Sequence, residues 1–133
     1  MGSPLDQPWA ADGPYWHLRA NGGVLSTAPD MIAWHEALLG TAVLSDAAKS
    51  AMFTPYVAEE PGGDTFYGYG WVVQDTPVGK LVWHNGGNDY FLADFWRFLD
   101  AGVTVFVASN AYADYAGNDE LAQALALIVI EGG

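Results

Sequence analysis

Between residues 65 and 110 four apolar, aromatic and β-branched runs follow one another with very little chain between them, and this spacing limits the fold more than any other feature. "FYGYGWVVQ" and "KLVWH" are joined by a short loop around Pro77 and Gly79, and "YFLADFWRF" and "VTVFVAS" by "LDAG". A parallel crossover takes a dozen or more residues, so connections this short make sequential strands antiparallel. The expected core is an antiparallel meander of about four strands. Val103 to Ala108 is apolar on both faces apart from Thr104, which predicts a central strand.

Helical signals flank this region. In "STAPDMIAWHEALLG", Thr27 suits an N-cap with Asp30 three residues on, and Pro29 is tolerated in a first turn. Gly40 stands where a left-handed C-terminal residue is expected. Met31, Trp34 and Leu38 share one face, with His35 beside them. A shorter helix is expected in "SDAAKSAMFTP", capped by Ser45 and stopped near Pro55. The chain closes on "NDELAQALALIVIEGG", where Asn118 reads as a cap and Leu121, Leu125 and Ile128 as the stripe that covers the sheet. Residues 1–23, punctuated by Pro4, Pro8, Pro14, Gly22 and Gly23, have no period and read as an extended lead-in. Residues 24–133 form the folded unit, of the α+β class.

A chain of 133 residues can bury one real core, so 51% hydrophobic residues and six tryptophans argue for a folded domain. Sixteen acidic against four basic side chains give a net charge of −12, a field that repels nucleic-acid phosphates and anionic lipid surfaces. Nucleic acid and membrane are therefore not expected partners. The apolar run from Leu121 to Ile130 is too short to span a bilayer, and the N-terminus shows no basic segment leading into an apolar one. The absence of Cys removes thiol nucleophiles and thiolate metal sites, and is compatible with an oxidising or a reducing compartment.

His17, His35 and His84 share no ligand-like spacing with one another or with nearby carboxylates, so no metal site is expected. His35, on an apolar helix face, reads as a satisfied and partly buried side chain. Neither "GGNDYF" nor "AGNDEL" has the oxygen-donor pattern of a calcium loop, and Asp64, Asp75, Asp94 and Asp100 cannot be paired into acid and base roles from sequence. The remaining chemistry lies in "LVWHNGGNDYF", residues 81–91, where His84, Asn85, Gly86 and Gly87 stand between two strand-like runs. In the plainest account the two glycines supply the positive backbone angles of a turn.

The order of segments gives "HNGG" a second meaning. "NGGVLSTAPDMIAWHEALLG", "LSDAAKSAMFTP", "YGYGWVV", "HNGG" and a strand hairpin ending "VFVASN" follow one another in a series that resembles the C-terminal portion of the serine β-lactamase and penicillin-binding-protein-like hydrolases, a family that includes class C β-lactamases, DD-peptidases and esterases. The resemblance spans about residues 20–131. The third sequence motif of that family is often His-x-Gly, which His84, Asn85 and Gly86 match. It implies that a substrate lies along the strand edge at Gly86, that the Gly87 N–H is an oxyanion donor, that His84 helps orient a substrate carboxylate or a neighbouring base, and that Asn85 hydrogen-bonds the substrate or holds the strand end. After the glycine pair, Asn88, Asp89 and Tyr90 stand where family members usually carry a further Gly, which brings a carboxylate near the oxyanion position.

The first two motifs of the family are not in this chain. Three residues before Lys49 and Lys80 stand Asp46 and Pro77, so there is no Ser-x-x-Lys, and none of the seven tyrosines is followed two positions on by Asn. Ser26, Ser45, Ser50 and Ser109 thus have no general-base partner of that type. The resemblance implies a nucleophile-bearing N-terminal portion, in the same protein or on a separate chain, as the principal partner, with a small-molecule or peptide substrate. Without that portion the chain is expected to be inactive and to expose a strand edge open to self-association. The alternative reading is a non-catalytic module that keeps the sheet and binds a peptide or partner chain at that edge.

Overall fold

The computed structural model describes residues 21–87, 91–110 and 115–132; for residues 115, 116 and 118 only the backbone is described. Helices α1 (Ala28–Leu39) and α2 (Asp46–Met52) come first. Strands β1 (Val57–Ala58), β2 (Thr65–Tyr67), β3 (Val72–Thr76), β4 (Gly79–Gly87), β5 (Leu92–Phe98) and β6 (Val103–Ser109) follow, and helix α3 (Tyr115–Glu131) closes the chain. All neighbouring strands are antiparallel, in the order β1-β2-β3-β4-β5-β6. The fold is α+β, as expected from the short connections.

The sheet has six strands instead of about four. Part of the difference lies in "FYGYGWVVQ", expected as one strand. Here Gly70 takes a φ of 77°, the Gly68 N–H donates to the Trp71 carbonyl at 2.8 Å, and the chain folds back on itself to give β2 and β3. The short β1 then adds to β2. A strand-like composition therefore concealed a turn whose signal, Gly-Tyr-Gly, was in plain view.

Side-chain alternation divides the sheet into two faces. On one, Val73, Val82, Phe95 and Trp71 pack with Leu38 of α1 and with Phe53, next to α2; Met31 and Phe106 extend this cluster. On the other, Leu81, Phe98 and Val105 pack against Ala122 and Ala126 of α3, with Trp83 and Trp96 stacked 5.4 Å apart beside them. The sheet is thus sandwiched between helices. This explains the apolar β6, which is an edge strand and not a central one: helices cover both of its faces while its outer edge has no strand partner among the described residues.

Helix α1 starts as expected, with the Thr27 hydroxyl accepting from the Asp30 N–H, and Ser45 caps α2 through the Ala48 N–H. Two expectations at helix ends are corrected. Gly40 has a φ of −88°, so no left-handed cap forms; its N–H bonds to the Glu36 carbonyl and its own carbonyl accepts from Lys49 Nζ at 2.9 Å. Asn118 lies inside α3, which already begins at Tyr115. Of the expected α1 stripe, Leu38 is buried and Met31 packs on the core, while Trp34 stays exposed.

The expected covering stripe of α3 is also corrected. Leu121, Leu125 and Ile128 are 48%, 40% and 70% exposed, whereas Ala122 and Ala126 are fully buried and Ile130 packs beside them. Small side chains four residues apart let the helix approach the sheet closely. Larger leucines could not occupy that face without pushing the helix away.

His35 is held by Thr104 on β6, with its Nδ1 2.9 Å from the hydroxyl, and it is partly buried as expected. Burial lowers its pKa below the ordinary value, and the Arg97 guanidinium adds to the effect against an opposing Glu36. The unfolded chain takes up a proton at this position near pH 6.5. The folded chain resists until lower pH, so acidification below about 6.5 favours unfolding. In His35→Gln the loss of stability between pH 7 and pH 5, measured by urea unfolding, is expected to be smaller than in the parent. Equal slopes in the two proteins would remove His35 as the source.

Candidate active-site strand

The stretch that carries the candidate residues is strand, not turn. Gly86 and Gly87 close β4 and pair with Ala93 and Leu92, and neither is among the glycines with positive φ. The plain account of these glycines as turn formers is therefore overturned. What sets this end of β4 apart is its other side. The β3 ladder stops at the Val72–Trp83 pair, so from His84 onward β4 is bonded to β5 and has no strand beside it on the β3 side among the described residues.

Strand alternation decides which peptide groups face that open side. The Leu99 N–H donates to the Lys80 carbonyl at 2.8 Å, which turns the peptide groups of Lys80 towards β5. In an antiparallel strand the N–H and C=O of one residue point the same way and reverse at the next. The β4–β5 register runs unbroken from Leu81 to Gly87, so Val82, His84 and Gly86 face β5 while Asn85 and Gly87 face the open edge.

Next to that edge lies a shallow groove of about 360 Å³, lined by Asn21, Gly22, Val24, Tyr67, Gly70 and His84. The last residues of the expected lead-in thus form one wall of the site. Tyr67 comes from β2 and is placed here by the turn that separates β2 from β3. Its hydroxyl lies 2.7 Å from His84 Nε2, and His84 Nδ1 lies 2.5 Å from the Asn85 carbonyl oxygen. A carbonyl oxygen can only accept, so Nδ1 carries a proton, and in the neutral imidazole Nε2 accepts from the Tyr67 hydroxyl. Both ring nitrogens of His84 are therefore engaged within the chain.

Of the expected site residues, the strand brings His84, Asn85, Gly86 and Gly87 to one edge. Asp89 and His17 lie outside the described residues. Sequence reasoning missed Tyr67 and residues 21–24, which come from distant segments. The Gly-Tyr-Gly turn was the one signal that could have placed Tyr67 at a strand end. Among the described residues no group of three or more His, Asp or Glu side chains is arranged to hold a metal ion, and no helix is long and apolar enough to cross a membrane.

Comparison with known proteins agrees with this architecture. The beta-lactamase family model matches residues 2–130. Penicillin-binding protein 4* of Bacillus subtilis (strain 168) is 32% identical over 98 residues, which are 73% of this chain and 22% of that protein. The crystal structure of a D-stereospecific amidohydrolase from Streptomyces sp. superimposes with a TM-score of 0.58 at 22% identity, over 73% of this chain and 29% of that one, a likeness of fold. The chain spans about a fifth of the length of the curated relative it matches. With the family model matched over almost the whole chain and the His-Asn-Gly motif at a strand edge that is open among the described residues, the chain belongs to the beta-lactamase family.

Proposed function

We propose that the chain supplies the strand wall of an acyl-transfer site whose nucleophile lies in a separate N-terminal portion, and that it is inactive alone. The observation that carries this reading is the open side of β4, where the peptide groups of Asn85 and Gly87 are presented without a strand partner among the described residues. An extended substrate can add along this edge as a further strand, with Gly86 leaving room for its close approach. The serine of the N-terminal portion attacks the substrate carbonyl and its lysine and tyrosine move the proton. The Gly87 N–H faces the developing oxyanion, and water then releases the acyl group. His84 and Asn85 form the adjoining wall. The name of the penicillin-binding relative fits such chemistry on a β-lactam, and the family resemblance extends it to a D-amino-acid peptide or an ester. No metal or organic cofactor enters it.

The exposed outer stripe of α3 and the outer edge of β6, beside which no strand lies among the described residues, are the surfaces on which the N-terminal portion docks; left uncovered, the same edge supports self-association. The test is co-expression of this chain with a family N-terminal portion carrying Ser-x-x-Lys and Tyr-x-Asn. The expected result is a complex that hydrolyses a chromogenic lactam or p-nitrophenyl ester, with neither part active alone. Failure of the parts to associate, or turnover by this chain by itself, would reject the proposal.

A further inference from the structure

We infer that Tyr67 is a substrate-contacting residue and that it selects ligands bearing an N–H donor, an amine, ammonium or amide, over carboxylates. This rests on the reading of the β4 edge as a substrate site and concerns which group is recognised there. With His84 neutral, the Asn85 carbonyl occupies Nδ1–H and the Tyr67 hydroxyl proton occupies Nε2. Imidazole in this arrangement has no N–H left to offer a substrate anion. The phenol oxygen, having directed its one proton at His84, keeps only acceptor lone pairs. Tyr67 and His84 both line the groove beside the strand edge, so the polar contact that this pair of side chains offers is an acceptor, apart from the donors of the Asn21 amide and the Gly87 N–H. The charge of −12 on the chain acts in the same direction, favouring cations over anions near its surface. His84 is then a positioning residue: it sets the direction of the Tyr67 proton and so the sign of the contact.

Three probes of one ring size separate the contributions. Benzylammonium carries charge and N–H donors, benzyltrimethylammonium carries charge alone, and benzoate is the anion. Each is titrated at pH 7 into the 133-residue chain and followed through the amide signals of His84 and Gly87 and the His84 ring by NMR. Benzylammonium is expected to bind more tightly than the other two. Tyr67→Phe is expected to weaken it about ten-fold, the loss of one hydrogen bond to a charged group, and to leave benzyltrimethylammonium unchanged. His84→Ala frees the Tyr67 hydroxyl to donate, so the preference for benzylammonium over benzoate should shrink, an effect that loss of packing alone does not produce. Equal or tighter binding of benzoate to the parent chain overturns the inference. So does an undiminished benzylammonium affinity in Tyr67→Phe, or no saturable shift with benzylammonium. If Tyr67→Phe does not fold, the benzoate result in His84→Ala decides. The assay involves no turnover, so its failure leaves the acyl-transfer reading standing, and failed reconstitution leaves this result intact.

Discussion

Replacing Gly68 by alanine is expected to destabilise the chain by about 2–3 kcal/mol, the upper part of the range for forcing extra atoms into a packed site. A Cβ at this position would lie 2.4 Å from the Met52 carbonyl oxygen and 3.0 Å from that of Thr54. Both obstacles are backbone, so no side-chain rotation relieves them. The contact cannot simply open, because the Tyr69 N–H donates to the same Met52 carbonyl at 3.0 Å and satisfies the C-terminal end of α2. Phe53, just past α2, is edge-on to Trp71 at 5.7 Å in the core. Moving the turn away from α2 thus loosens the helix end and this packed pair together. Since whole domains are stable by only about 5–15 kcal/mol, the effect is large. It is read as a fall in the urea midpoint at unchanged slope. A midpoint equal to that of the parent would mean that α2 and the turn are not rigidly seated on each other.

The second large effect belongs to the chemistry. In the reconstituted protein, Gly87→Pro is expected to lower kcat by about 10²–10³, the usual cost of removing one oxyanion donor. Proline deletes the N–H that faces the open side of β4, and on that side no ladder bond is lost. The residue before a proline is pushed towards extended angles, which Gly86 already adopts within the strand. Assembly of the two parts should therefore survive while turnover falls. Assembly with full activity would remove Gly87 from the oxyanion role. Loss of assembly itself would show that this position serves the sheet before it serves the substrate.

Much of the fold was legible because its signals are local. The caps at Thr27 and Ser45, the hairpins around Pro77–Gly79 and at Gly102, and the antiparallel order follow from short-range chemistry that neighbours in the chain settle between themselves. The errors share a cause as well. Hydropathy ranks leucine above alanine, so it picked the stripe Leu121, Leu125 and Ile128, whereas close helix–sheet packing selects the small residues Ala122 and Ala126. An apolar strand was taken for a central one because sequence reports how many faces are covered and not what stands at the edge; β6 is covered on both faces and lies at the end of the sheet.

The sequence by itself determined the class of the fold and the family, and it singled out the run from His84 to Gly87 as the candidate site, since that run can be read from a few adjacent residues. Only the tertiary structure decided how that segment can be used. The end of the β3 ladder at Val72 leaves Asn85 and Gly87 facing an edge that is open among the described residues, and the turn after β2 brings Tyr67 to His84 across 17 positions of chain. Both depend on where distant strands stop relative to one another. That register is set by the packing of whole faces of the sheet, and no local pattern encodes it.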